Sequence, residues 1–213
     1  MTGIPGAIVV ILLGYLLGAI PFGLVIGRLT RGIDIRDFGS HRTGATNALR
    51  TLGARMAALV FVLDVAKGAG AVLLAYALYQ AGPPGSPPWV AAAAGFAAVI
   101  GHIWSVFIRF TGGRGVATST GALLGLAPLA VLLLAPVVIF IMWRWRYVSL
   151  GSVMGSLLAP VAALVLAALD LAPWAAVGYG VAAGLLVTWA HRDNIDRLRS
   201  GTERRIGQKE TIG

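Results

Sequence analysis

The sequence predicts an all-α integral membrane protein with about seven transmembrane helices, and three observations lead there. First, 58% of the 213 residues are hydrophobic and 12% are charged, about half the charged fraction of a soluble domain, and the mean hydropathy is +0.84. A water-soluble core cannot hide that much apolar surface. Second, the apolar residues fall into stretches of span length separated by short polar segments. Third, sixteen of the seventeen Lys and Arg residues lie in Arg28–Arg55, Arg109–Arg114, Arg144–Arg146 and His191–Gly213, and the intervening connections carry none. Basic loops mark the cytoplasmic side of a membrane. The expectation is a single polytopic domain over residues 1–213, with the N-terminus outside and the C-terminus in the cytoplasm.

Taken in order, Ile4–Ile26 is apolar and long enough for a hydrocarbon core of about 30 Å, although Pro21 interrupts it. It lacks a basic start and a small-residue cleavage site, so it reads as a retained span. A polar island, Arg28–Arg55, follows. Met56–Tyr79 is the second span, Gly82–Pro88 a Pro/Gly turn, and Trp89–Ile108 the third span. Val116–Leu126 is short, and Pro128–Trp143 follows at once. Val148–Leu169 and Pro173–Ala190 are two more spans, joined at Asp170–Ala172. Counting both helices around Pro128 gives seven spans, the preferred reading. Five spans, with Val116–Trp143 re-entrant, would preserve the same sidedness.

Cysteine is absent, and the three histidines, His41, His102 and His191, are far apart in sequence. The reading therefore assigns neither disulfides, nor a metal site, nor a cofactor. A net charge of +9 points to anionic lipids and phosphates rather than nucleic acid.

Three polar segments carry groups suited to chemistry. Asp34–Gly53 combines Arg36, Arg42 and Arg50 with Ser40, Thr43, Thr46 and Asn47 beside Gly39 and Gly44. Glycine lets backbone N–H groups turn inward, and the guanidinium fork fits phosphate. On composition alone, an orienting basic loop explains this segment equally well. The second segment surrounds Arg114 with Gly112, Gly113 and Gly115 ahead of a predicted helix, and adds Thr118 and Ser119. A glycine-rich turn entering a helix presents free N–H groups to an anion, although the Walker A spacing is missing. The third places His191 three residues before Asn194, on one helix face. His191 and Asp196 match an H-x-x-x-x-D pattern, but that separation turns them to different faces. One intramembrane ionic pair, Asp64 and Lys67, shares a face at i,i+3. Such charges are costly and often functional, yet a self-neutralising pair that fixes packing is the plainer reading.

Taken together, Ala19-Ile-Pro-Phe-Gly23, Asp34-Ile-Arg36, Gly44-Ala-Thr-Asn-Ala-Leu-Arg-Thr-Leu-Gly53, Asp64-Val-Ala-Lys-Gly68, Gly101-His102, Gly112-Gly-Arg-Gly-Val-Ala-Thr118, His191-Arg-Asp-Asn194 and Gly201-Thr-Glu-Arg-Arg-Ile-Gly207 resemble the bacterial acyl-phosphate:glycerol-3-phosphate acyltransferases, the integral membrane PlsY proteins. The resemblance runs through nearly the whole chain in order.

It implies a multi-pass enzyme of the bacterial inner membrane with its active site on the cytoplasmic side. That enzyme transfers an acyl group from acyl phosphate to the 1-hydroxyl of sn-glycerol 3-phosphate, giving lysophosphatidic acid and phosphate, the first step of phospholipid synthesis. Carried over by motif, Ser40, Arg50, Arg114, His191 and Asn194 form the catalytic set. Thr46, Asn47, Gly112, Gly113, Gly115 and Thr118 hold substrate phosphate, and Asp64, Lys67 and a serine after the fifth helix, Ser149 or Ser152, are candidates for support. No cofactor is implied, and the partners are the two substrates and membrane lipids around a monomer. Two departures stand out. The family commonly reads Gly-Ser-Gly-Asn-Ile-Gly-Ala-Thr-Asn where this chain has Gly39-Ser-His-Arg-Thr-Gly-Ala-Thr-Asn47, and it usually has lysine at the place of Arg114.

Two other classes compete. An organophosphate transporter would also use basic islands and broken helices, but the charges cluster on one face and no internal repeat is evident. A scaffold for lipid headgroups would not need the Gly-Gly-Arg-Gly and Gly-Ala-Thr-Asn details.

Overall fold

The computed structural model describes residues 3–79 and 86–207, and within them every regular element is helical. The helices are α1 (Gly3–Ala19), α2 (Phe22–Arg31), α3 (Ala45–Thr51), α4 (Ala54–Leu78), α5 (Ser86–Ile103), α6 (Val116–Leu126), α7 (Pro128–Trp145), α8 (Val148–Ala168), α9 (Trp174–Ala190) and α10 (Arg192–Arg199). Five apolar stretches are long enough to cross a membrane, the first counting α1 and α2 together; α6 and α9 are shorter apolar helices. These are the seven expected. However, α6 rises only about 16 Å along its axis, half of a hydrocarbon core.

The first span departs from its expected form. It breaks after Ala19, because Pro21 lacks an N–H and disfavours helix at the residue before it. The freed carbonyls are met by side chains from other helices. Lys67 Nζ donates to the Ile20 carbonyl at 2.8 Å, and Ser105 Oγ donates to the Ala19 carbonyl. Lys67 also pairs with Asp64 at 2.9 Å, so the intramembrane pair fixes packing at this break. Beyond it, α2 is a separate amphipathic helix, with Leu24 and Ile26 buried and Leu29 exposed. Its end at Gly32, φ 66°, is a left-handed cap of the kind glycine favours.

The Gly82–Pro88 turn lies partly outside the described residues; α5 already begins at Ser86, with Pro87 and Pro88 in the first turn, where the missing N–H groups cost nothing. The α5 helix stops at Ile103, short of the expected Ile108, and a 3-10 turn over Val106–Ile108 carries the chain toward the glycine-rich segment.

Small residues set the helix spacing. A Cβ at Gly68 would fall on the Thr118 carbonyl, and one at Gly121 on the Val65 carbonyl. Backbone cannot step aside, so the close approach of α4 and α6, which run in parallel, depends on these glycines. Gly121→Ala is expected to overpack this crossing by about 1–3 kcal/mol, lowering the apparent unfolding temperature in detergent by roughly 5 °C. An unchanged melting curve would mean that the helices do not meet there. The interior of the bundle combines Val10, Val72, Tyr79, Leu123, Leu126, Leu166 and Tyr179 with many alanines. By contrast, α7 buries only Ala130 and turns Leu132, Ile139, Phe140 and Trp143 outward, as suits a helix surrounded by lipid.

Candidate active site

The first polar segment is a packed structure rather than a solvated loop. Asp34 accepts from the Arg36 N–H at 2.9 Å, opening a 3-10 turn over Ile35–Asp37, and Ile35 is wholly buried against Ile26, Ala48 and Val60. The Arg36 guanidinium then reaches Thr111 Oγ1 at 2.8 Å, tying the first polar segment to the second. The short α3, which periodicity did not predict, carries Asn47 into the middle of the segment. Its Nδ2 donates to the carbonyls of Ile35 (2.7 Å), Phe38 (3.2 Å) and Arg42 (2.8 Å), and its Oδ1 accepts from the Ser40 N–H at 2.9 Å. The amide is thereby committed to backbone, and it sets the places of Ser40 and Arg42. His41 adopts φ 55°, a conformation that costs most side chains about 1–2 kcal/mol, and its Nδ1 lies 2.8 Å from the Arg36 carbonyl.

The glycine-rich segment is held by the last turn of α5. The Gly113 N–H donates to the His102 carbonyl at 3.1 Å. A Cβ on Gly112 would strike that carbonyl, and a Cβ on Gly113 would strike the His102 ring. Gly115, φ 84°, then caps α6 and delivers the N–H groups of its first turn, which have no intrahelical acceptor, beside Arg114. His102 itself sits 3.6 Å from Asp64, so a buried Asp64–Lys67–His102 cluster supports the segment from below.

The third segment folds back on itself. The α9 helix ends at Ala190, and His191 occupies the junction before α10, its carbonyl accepting from the Asn194 N–H at 2.8 Å. After α10 the chain returns through Gly201 and inserts Glu203 into the site. The Glu203 carboxylate accepts from Ser149 Oγ (2.8 Å), Asn194 Nδ2 (2.7 Å) and Arg197 Nε (2.8 Å). Burial opposes its ionisation, but these three donors outweigh burial and hold its carboxyl below the ordinary value. The returning chain is clipped at Ile206, whose N–H donates to the Arg146 carbonyl at 2.7 Å.

All three segments open onto one cavity of about 690 Å³. The structure brings Ser40, Thr46, Asn47, Arg50, Arg114, Gly115, His191 and Asn194 to its wall, together with Asp64, Ser149 and Ser152. Four expected site residues lie elsewhere. Gly112 and Gly113 are packed on His102, Thr118 is fully buried, and Lys67 holds the Ile20 carbonyl. The cavity wall also includes Arg42 of the first segment, whose charge suits an anion site, and it gains residues that had no assigned role: Arg197, Arg204, His102 and Glu203. For Glu203, Arg204 and His102 the signal was the run Gly201–Gly207 and the pair Gly101-His102, which carried the resemblance without a role; Arg197 had no such signal.

The electrostatics favour an anion. Arg114 has a buried Nε without a partner. Burial first, then the charges of Arg42 and Arg197, push its pKa down to about 10, against the opposing pull of Glu203 and Asp193, so it remains a cation at neutral pH. His191 donates from Nδ1 to the Val187 carbonyl at 2.8 Å; a carbonyl only accepts, so the Nδ1 proton is fixed and Nε2 keeps its lone pair. Burial, with Arg114 nearby, lowers its pKa to about 4, leaving a neutral acceptor at neutral pH. Because a carboxylate also only accepts, Asn194 must turn Nδ2 to Glu203, which leaves its buried Oδ1 unpartnered. A neutral imidazole nitrogen and an amide oxygen thus stand ready to accept from a hydroxyl, next to guanidinium and helix N–H groups ready to hold an oxyanion.

The family model described as glycerol-3-phosphate acyltransferase matches residues 8–201. The glycerol-3-phosphate acyltransferase of Synechococcus sp. (strain CC9902) is 46% identical over 95% of this chain and 96% of that protein. The one from Shouchella clausii (strain KSM-K16) is 43% identical over 95% and 97%. Among solved structures, the glycerol 3-phosphate form of PlsY (YgiH), an integral membrane glycerol 3-phosphate acyltransferase, is similar with a TM-score of 0.83 and 38% identity over 94% of this chain and 96% of that one. Its lysophosphatidic acid form gives a TM-score of 0.81 at 37% identity.

Proposed function

The chain belongs to the glycerol-3-phosphate acyltransferase family, and from that premise we propose that it transfers an acyl group from acyl phosphate to the 1-hydroxyl of sn-glycerol 3-phosphate, as a monomer in the bacterial inner membrane with its cavity on the cytoplasmic side. The observation that carries this reading is the convergence of three separate polar segments on one cavity where the buried Arg114 Nε has no hydrogen-bond partner among the described residues.

The chemistry needs placement more than a strong base. Acyl phosphate is already an activated anhydride. The acceptor hydroxyl donates to His191 Nε2 or Asn194 Oδ1, which aims its oxygen at the acyl carbon. As attack begins the hydroxyl turns its single proton from that acceptor to a donor phosphate oxygen, which takes it as the new C–O ester bond forms and the C–O bond to phosphate breaks. Inorganic phosphate leaves with that proton, and lysophosphatidic acid remains. Arg114, Arg50 and the N–H groups at the start of α6 hold phosphate and the developing oxyanion, where fixed donors act most strongly. With Nδ2 engaged by Glu203, Asn194 serves as acceptor rather than as oxyanion donor. Asn47 acts by placing Ser40 and Arg42. Phe61 of α4 and Met142 of α7 add apolar side chains to the cavity wall, and Phe61 is half exposed at the bundle surface, giving the acyl chain a route that stays in lipid.

The test is phosphate release by detergent-purified protein supplied with palmitoyl phosphate and glycerol 3-phosphate, with palmitoyl-CoA as parallel donor. One lysophosphatidic acid per phosphate, from acyl phosphate alone, is the expected result. No phosphate release from a folded sample would overturn the reading, and equal use of palmitoyl-CoA would overturn the donor assignment.

A further inference from the structure

We propose that Arg42 is a substrate-binding residue of this chain, closing with Arg114 a two-guanidinium clamp on one phosphate dianion. The proposal rests on the reading of the cavity as a site for phosphate-bearing substrates. Arg42 lines the same cavity as Arg114. Its backbone is fixed, since the Arg42 carbonyl accepts from Asn47 Nδ2 at 2.8 Å and the next residue, Thr43, is buried. Its guanidinium, by contrast, donates to no partner among the described residues, while the nearby cations each have different duties. Arg36 is engaged by Asp34 and Thr111, and Arg197 is engaged by Glu203.

Two like charges facing one cavity repel each other, and burial makes the repulsion worse. The mutual cost is met when an anion sits between them. A phosphate dianion offers three oxygens and so accommodates two forks at once. Arg42 stands where the resembling family commonly has asparagine, and Arg114 where it commonly has lysine. The two differences therefore meet at one cavity. The clamp has a second effect: it holds the leaving inorganic phosphate as well as a substrate, so this protein is expected to be more sensitive to its own phosphate product than a variant without Arg42.

The experiment compares wild type, Arg42→Asn, Arg42→Lys and Arg199→Gln. Arg199 is exposed and lies outside the cavity lining, so it reports the general field of the basic face. Binding of inorganic phosphate and of glycerol 3-phosphate is read by phosphorus NMR on the purified protein, without turnover. The KM for each substrate and the inhibition constant for phosphate are read from the release assay. Arg42→Asn is expected to weaken phosphate binding and inhibition about tenfold, the effect of losing one charge-assisted contact, with kcat changing much less. Arg42→Lys retains the point charge but not the fork and falls between. Arg199→Gln is expected to match wild type. A raised KM for glycerol 3-phosphate assigns the clamp to the acceptor, and a raised KM for acyl phosphate to the donor. Unchanged phosphate binding in Arg42→Asn overturns the proposal, as does an equal loss in Arg199→Gln. If Arg42→Asn fails to fold, the Arg42→Lys step decides, because only a fork-dependent contact separates it from wild type. Absence of turnover in wild type would instead remove the acyltransfer reading, while the NMR comparison would still decide whether Arg42 holds phosphate.

Discussion

Replacing His191 by alanine is expected to lower kcat/KM for glycerol 3-phosphate by about 10²–10⁴ while leaving the protein folded. Nδ1 is committed to the Val187 carbonyl at 2.8 Å, so ring orientation and tautomer are set before substrate arrives. In the proposed mechanism Nε2 is the acceptor that fixes the direction of the attacking hydroxyl, and loss of such placement costs that much. Burial and Arg114 lower the pKa to about 4, against about 6.5 for an unperturbed histidine. The sign follows directly: the proton that quenches the acceptor is taken up around pH 4, not around 6.5. NMR of ring-labelled protein should show His191 neutral and protonated on Nδ1 from pH 8 to 5. A titration near 6.5, or an alanine variant with wild-type kinetics, would remove His191 from its role.

Glu203→Ala is expected to cost about 1–3 kcal/mol of stability, the effect of leaving the buried Ser149 hydroxyl and Asn194 amide without their acceptor, since the Arg197 guanidinium is partly exposed and water can replace its partner, together with most of the activity. One carboxylate organises Ser149, Asn194 and Arg197, which come from two helices. Without it, the Asn194 amide is free to flip and the acceptor that faces the cavity is lost. Glu203→Gln keeps the shape but supplies a donor where three donors already converge, so it should recover little. Detergent-dependent unfolding and release kinetics of the two variants check this. Full activity with a lowered melting temperature would show that Glu203 supports the fold alone.

The apolar helices and the meeting of three basic segments were legible because hydropathy and charge position are one-dimensional properties. Glu203 was not legible as a site residue, since an acid in a basic tail looks like a solvated charge; its importance depends on Ser149, 54 positions away. Asn47 looked like a phosphate donor because an amide beside glycines has that capacity, and only its four backbone contacts show that the capacity is already used. The α3 helix escaped notice because seven residues carry too little periodicity, and Lys67 was ambiguous because the carbonyl that it satisfies belongs to a break in another helix.

The short α6 also decides where the reaction takes place relative to the lipid. Its first turn meets the cavity beside Asp64, about ten residues into α4 and so roughly 15 Å along that helix from its polar end. A catalytic floor at the bundle surface would force a fatty donor to withdraw methylene groups into water, at about 0.8 kcal/mol for each one. A recessed floor removes that extraction. Under the proposed reaction the donor's acyl carbon is met inside the bundle, and the water-soluble acceptor is the partner that travels inward, toward the cations that line the cavity.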